Sequence, residues 1–347
     1  MEEAARAPSV LVRQGVQSCA VPTRLASPRP DRPAPSNDVS RSRLRPPKKS
    51  LQLSARLPLD STAISLMVVL AMLWGLQQVA IKFALVSVSP VTQAAIRSGV
   101  AMLLLAGWAR WRGIALFNRD GTLPAGVIAG LLFGAEFILI YAGLEHTAAA
   151  RMVVFVYLAP VLTALGLAWF VPGERLTGIQ WAGVLLAFAG LVVAFADSFS
   201  APGRATLRGD LYGVIAAALW AATTVLIRST RLAAARAEKT LFYQLAISAV
   251  LLAFAAIAME ESGVTRVDTT VVVSLVFQSV VVAFASYLTW FWLLTRYLAA
   301  RLAVFSFLSP MFGVTFGVLI LGERLSGSFV LAALLVALGI ALVNLRR

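Results

Sequence analysis

The chain has one cysteine, Cys19, and one histidine, His146. A lone thiol forms no disulfide framework, CxxC pair or thiolate metal site, and a lone imidazole excludes clusters such as HExxH. Neither a Walker-type glycine-rich loop nor a GxGxxG occurs, so the nucleotide site that an ATP-driven pump needs is missing and no cofactor is expected. Charge is scarce too. Asp, Glu, Lys and Arg make up 13% of the residues and apolar types 59%, where a soluble globular chain has about a quarter charged. The apolar excess lies in runs of about 20 residues, the length that spans the hydrocarbon core of a bilayer.

The scarce charge is lopsided, with a net value of +14. Its distribution points away from nucleic acid. Of the 30 basic residues, 11 precede residue 62, and most others sit between apolar runs, as membrane topology requires. Residues 1–61 are rich in Pro, Ser and Arg without apolar periodicity. They are expected to form a disordered basic cytoplasmic tail, with Arg41, Arg43, Arg45, Lys48 and Lys49 available to anionic headgroups. No short apolar region with a cleavage site follows the first basic residues, so a secretory signal is not expected.

From residue 62 onward the pattern predicts an all-α integral membrane protein of ten transmembrane helices, near 62–82, 91–109, 123–144, 148–170, 177–196, 209–229, 239–258, 271–295, 299–321 and 327–345. The longest connection, 197–208, contains Ser, Pro and Gly and acts as a linker between a first half, 62–196, and a second, 209–347. The halves repeat. Ala150-Arg151 corresponds to Ala300-Arg301 and Pro160 to Pro310, both at an offset of 150; Gly173-Glu174-Arg175-Leu176 corresponds to Gly322-Glu323-Arg324-Leu325 at 149. Leu73-Trp74-Gly75 corresponds to Leu219-Trp220-Ala221 at 146, which sets Lys82 on Arg228.

Five is odd, so the two halves are expected to cross the membrane in opposite directions, as inverted repeats. With the tail inside, the cytoplasmic segments after residue 61 carry twelve basic residues and the outer ones six. Both termini are therefore expected in the cytoplasm, in a plasma or inner membrane. The ten helices, the leucine-tryptophan opening of each half, the proline helices and the paired GERL turns resemble the EamA-type branch of the drug/metabolite transporter superfamily, over about residues 62–345. The resemblance implies an inverted-repeat exporter or importer of small metabolites, ion-driven or facilitative, and leaves the substrate open. Glu136, deep in the third helix, departs from the apolar or small residue expected there in many members.

A bare carboxylate at the depth of Glu136 costs roughly 2.5–3.5 kcal/mol or more, so it must be paired, protonated or facing water. It is read either as a proton-coupling or substrate-amine site, or as a structural partner of Arg97 or Lys82. Gly126, Gly130 and Gly134 form a small-residue stripe on another face of the same helix. Arg97, about a turn inside the second helix, either binds a carboxylate or phosphate bidentately or snorkels to the headgroups. Lys82 and Arg228 end their helices and read as interfacial. Trp74 and Trp220 read as packing residues or cavity walls. Tyr157, Ser306 and Ser309 lie just before the prolines, and Gln244, Gln278, Ser279, Ser286, Tyr287, Thr289 and Trp290 offer neutral polar contacts from the second half.

Pro160 and Pro310 are expected as mid-helix hinges that free a backbone carbonyl one turn back. Glu174 and Glu323 read as local pairs with Arg175 and Arg324, or as caps. Gly313 and Gly317 would serve contact between the halves or a homodimer. The expected partners are thus a small-molecule substrate, protons, the lipid bilayer and a second copy of the chain, without nucleic acid. Transport of small organic metabolites or amino-acid-like solutes by alternating access is the function expected, with proton coupling through Glu136. The alternative is facilitative exchange of anionic metabolites on Lys82, Arg97 and Arg228. An embedded enzyme would need clustered catalytic groups, for which one histidine and scattered carboxylates are poor material.

Overall fold

A computed structural model of the chain describes residues 57–199, 204–322 and 327–345. The basic tail up to residue 56, with Cys19, and the second GERL turn, with Glu323 and Arg324, lie outside them. Every apolar run forms a helix, and no strand occurs among the described residues. Eight helices are long and apolar enough to cross a membrane: α1 (Ser61–Leu85), α2 (Pro90–Trp111), α3 (Leu123–Leu144), α4 (Ala149–Phe170), α6 (Arg204–Ser229), α7 (Ala237–Ala258), α8 (Thr269–Arg296) and α9 (Ala299–Leu321). Two apolar helices are shorter, α5 (Gly178–Ala194) and α10 (Phe329–Asn344). The sixth helix starts at Arg204, inside the segment expected to be linker.

Local chemistry sets the helix ends. The Asp60 carboxylate accepts the N–H of Ala63 at 2.8 Å and starts α1, and Asp268 does the same for α8 through Val271 at 2.9 Å. Thr177 and Gln180 form a capping box at α5. The α2 helix has no acid of its own in its first turn. Glu261, between α7 and α8, supplies one, accepting the N–H groups of Val91 and Thr92, each at 2.8 Å. In return Lys239, near the start of α7, reaches the segment before α3 and donates to Asn118 Oδ1 at 2.6 Å and Asp120 Oδ2 at 2.8 Å.

The hydrogen bond from Lys239, with those from the Thr122 hydroxyl and backbone, holds the Asp120 carboxyl well below the usual carboxylate range. A depressed folded pKa stabilises the protein above the ordinary value near ~4 and loses that contribution as pH falls toward the depressed one. Asp120→Asn should therefore lower the melting temperature at neutral pH, with the gap to wild type closing as pH drops below about 4. A gap that stays constant across that range would show the contact to be unrelated to charge.

Glycine stripes set the closest helix approaches. On α3, the stripe of Gly126, Gly130 and Gly134 receives Tyr243, Ile247, Ser248 and Leu251 of α7, in parallel order. Gly183 of α5 lies against Gly339 of α10, and Gly190 against Ala332, so that pair runs antiparallel. A Cβ on Gly183 would meet the Gly339 carbonyl oxygen at 2.6 Å, a backbone contact that no rotamer change relieves. Gly75 of α1 meets Phe312 and Gly313 of α9, so Gly313 serves a contact within the chain.

Besides α5 with α10, the most extensive pairs are α3 with α6 and α1 with α8, α3 with α7 and α2 with α8, α1 with α9 and α4 with α6, and α2 with α7. Exchanging each helix for the one five places along turns this set of pairs, and the α5–α10 pair, into itself. Apolar side chains such as Leu103, Trp169, Leu319 and Val330 project outward, and such a surface needs lipid as its solvent.

Three helices are interrupted. The α4 helix breaks after Val156 and restarts at Ala159; α9 passes through a 3-10 segment, Val304–Phe307, before Leu308–Leu321. Pro160 therefore sits in the first turn of a second piece, where a missing N–H costs nothing and the fixed φ suits the helix, and Pro310 lies three residues past the 3-10 segment of α9. The third is α8, whose Phe277–Ser286 segment is a π-helix, a feature without a sequence signature that tends to mark functional positions.

Candidate functional site

Two of the interrupted helices, α4 and α8, help line a cavity of about 200 Å³ between the first and second halves. From α1 it receives Trp74, Gln77 and Gln78; from α3, Phe133, Glu136, Phe137 and Ile140; from the break in α4, Val156 and Tyr157. The second half adds Trp220, Thr223, Thr224 and Ile227 of α6, Gln244 of α7, and Tyr287, Trp290, Phe291 and Leu294 of α8. Tyr157 caps the first piece of α4, so the break is what turns it inward.

The walls are aromatic and mutually braced. Trp74 meets Tyr287 edge-on at 6.4 Å and Trp290 at 5.9 Å between ring centroids. Phe133 meets Phe137 at 5.2 Å and Tyr287 at 6.1 Å. Across the cavity Tyr157 meets Trp220 at 5.8 Å. These edge-to-face contacts hold the rings in the geometry that aromatic pairs prefer. Trp74 is fixed further: its Nε1 donates to Ser286 Oγ at 2.9 Å, and that hydroxyl donates to the Val282 carbonyl at 2.6 Å.

Glu136 is the carboxylate in this wall. It is 5% exposed, and among the described residues it has neither an ion pair nor a hydrogen bond. No direct ion pair joins it to Arg97, whose charge acts on it through space. Gln77, Gln78 and Gln244 also have no hydrogen bond among the described residues and face the same space. The Thr223 and Thr224 hydroxyls bond back to the carbonyls of Leu219 and Trp220, at 2.8 and 3.3 Å.

The cations expected at the site lie elsewhere. Arg97 is 1% exposed, not snorkelling, and does not line the cavity. Its guanidinium carbon stands 4.6 Å from the centroid of Phe137, behind that ring, with Nε and Nη2 buried and without a hydrogen bond. Arg228, at the end of α6, is buried and ion-paired with Glu174, and its Nη1 donates to the Leu294 carbonyl at 3.0 Å. Glu174 is thus no local partner of Arg175. It also accepts the N–H groups of Ala299 and Ala300, at 3.3 and 3.4 Å, capping α9 from a distance in sequence. Lys82 is exposed near the end of α1, away from the cavity. Ser286 braces Trp74, and Gln278 donates to Gln93 Oε1 at 3.1 Å; neither lines the cavity.

The site thus brings together Trp74, Glu136, Tyr157, Gln244 and Tyr287 and leaves out Lys82, Arg97, Gln278 and Ser286. Phe133, Phe137, Gln77, Thr223 and Thr224 escaped sequence reasoning. Gln77, a polar residue mid-helix and one turn after Trp74, carried a usable signal. The phenylalanines, within an apolar run, did not.

The sequence model of the EamA-like transporter family matches residues 61–196 and 207–345. Among curated proteins, "Uncharacterized transporter YvbV" of Bacillus subtilis (strain 168) is 29% identical over 83% of this chain and 93% of its own length. A "Probable amino-acid metabolite efflux pump" of Escherichia coli (strain K12) is 28% identical over 79% of this chain and 92% of its own. A solved crystal structure matches 82% of this chain and 96% of its own at 23% identity, with a TM-score of 0.71; that likeness concerns the fold.

Proposed function

The chain belongs to the EamA-like transporter family, and from that membership we propose that it exports a small organic solute across the cytoplasmic membrane by alternating access, with Glu136 exchanging solute for proton. Membership makes it a multi-pass membrane transporter of a small molecule. The observation that carries the rest is a cavity between the two halves whose buried carboxylate has neither an ion pair nor a hydrogen bond among the described residues. A buried ionisable group in a membrane span is a functional group by default. One carboxylate that either holds a proton or faces a cationic group of the solute couples the two by competition.

Alternating access needs two halves that exchange conformations, which inverted repeats supply. Ten membrane-crossing helices in two inverted sets of five agree with the matched motifs, the helix pairing that maps onto itself, and the antiparallel course of α5 and α10. Side-chain contacts repeat as well. Asp210 accepts from the Thr147 hydroxyl at 2.9 Å, and Asp60 accepts from the Tyr297 hydroxyl at 2.9 Å. Both members of the pair are displaced by 150. Basic residues on the connecting segments favour cytoplasmic termini. Export is favoured by the efflux named for the Escherichia coli relative.

Proteoliposomes loaded with a small-metabolite extract provide the test, with released solutes identified by mass spectrometry under an imposed pH gradient. Wild type should release a restricted set faster when the gradient is present. Glu136→Gln should reduce that gradient-driven release to the level of protein-free vesicles. Undiminished gradient-driven release in the variant would remove the proton role.

A further inference from the structure

We propose that the cavity selects a monovalent organic cation, a protonated amine on an aromatic or compact apolar body, and rejects the same body once it bears a free carboxylate. This rests on the transporter reading above and narrows its substrate to a chemical class.

Charge distribution carries the argument. A solute inside the cavity meets one ionisable group of fixed sign, the Glu136 carboxylate, and no cation. Arg228 is committed to Glu174 and the Leu294 carbonyl, and Lys82 lies away from the cavity. Arg97 does not line the cavity: its guanidinium stands 4.6 Å from the Phe137 ring centroid, and its charge reaches Glu136 and Tyr287 only through space. A carboxylate-bearing solute would bury its charge near Glu136 with only glutamine amides to receive it, and an uncompensated buried charge is strongly penalised. Anions therefore find no cation in the lining to contact, and zwitterions find a direct partner for one end alone.

An ammonium group finds a full complement. Glu136 and the free carbonyl oxygens of Gln77 and Gln244 accept its hydrogen bonds. The braced rings of Trp74, Tyr287 and Trp220 line the cavity, and tryptophan and tyrosine faces attract cations. Size narrows the class further. Drug-sized ligands occupy pockets of about 300–1,000 Å³; about 200 Å³ suits a single ring or its aliphatic equivalent.

Phenethylamine, phenylalanine and phenylacetate share one ring and nearly one size, and at neutral pH are a cation, a zwitterion and an anion. Equilibrium binding of each to the purified full chain in lipid nanodiscs tests the assignment, with Glu136→Gln as the variant. Phenethylamine should bind at least about tenfold more tightly than the other two, a difference of about 1.4 kcal/mol, and Glu136→Gln should remove that preference. Equal or tighter binding of phenylalanine or phenylacetate, or no binding of any of the three, would overturn the assignment. Counterflow in proteoliposomes separates the two proposals. Binding preference for the amine without counterflow sinks transport and keeps the class; counterflow of phenylalanine in preference to phenethylamine sinks the class and keeps transport.

Discussion

Arg228→Met should destabilise the folded protein by about 3–5 kcal/mol, the penalty for removing one partner of a buried pair. Both side chains are 2% exposed, so the remaining Glu174 carboxylate has no access to water. Its other contacts are two backbone N–H groups of α9 at 3.3 and 3.4 Å, too long to replace a guanidinium. The loss spreads across the end of the bundle, because this cluster joins the end of α6, the end of α8, the turn after α4 and the start of α9. It lies one residue beyond Ile227, which with Leu294 lines the cavity, so loosening it also loosens that end of the site. The double variant Glu174→Leu with Arg228→Met should recover most of the stability. The pair leaves Arg228 Nε without a hydrogen bond, and apolar replacement of such imperfect buried pairs is close to neutral or stabilising. Thermal unfolding in one detergent reads all three proteins. A single variant that melts with wild type would deny the pair any structural role, and a double variant no better than the single would place the loss in the α9 cap.

The Glu174 pair also marks where the sequence ceased to be legible. Glu174 stands next to Arg175 and 54 residues from Arg228, and a charge pattern read along the chain favours the neighbour. Helices and repeats were legible because bilayer length and duplicated motifs are properties of the chain itself. The direction each side chain faces was not. These helices are apolar on every side, since lipid and protein interior make the same demand, so periodicity does not separate an inner from an outer face. Polar residues are the exception, and Glu136, Gln244, Tyr157 and Tyr287 do face the cavity. Yet Gln278, also polar and buried, is turned to Gln93 on α2. It lies in the π-helical segment of α8, where the extra residue per turn shifts the facing of side chains. Helical spacing assumed throughout α8 therefore misplaces that stretch. The proline within an apolar run shows that α4 is perturbed near Pro160, and not that the break after Val156 brings Tyr157 to the site.

Removing the Phe137 ring should convert the site from one that rejects carboxylates to one that accepts them. Phe137 lines the cavity on one side and covers Arg97 on the other, with 4.6 Å from guanidinium carbon to ring centroid. Arg97 keeps two buried nitrogens without acceptors, so a carboxylate that reached it would gain charge-assisted hydrogen bonds that nothing in the chain now makes. Such bonds contribute about 1.5–3 kcal/mol, or roughly ten- to a hundred-fold in affinity. Phe137→Ala should thus raise phenylalanine affinity by that factor relative to phenethylamine. The zwitterion would then place its ammonium on Glu136 and its carboxylate on Arg97. Loss of the edge contact with Phe133, at 5.2 Å, weakens binding of every aromatic solute alike, so the ratio of affinities is the quantity to measure. Adding Arg97→Met to Phe137→Ala should abolish the gain while keeping the enlarged cavity. If the double variant still favours phenylalanine, the switch comes from space and not from charge, and Arg97 has no latent part in selectivity. If Phe137→Ala alone leaves the ratio unchanged, the ring is not what separates Arg97 from the solute.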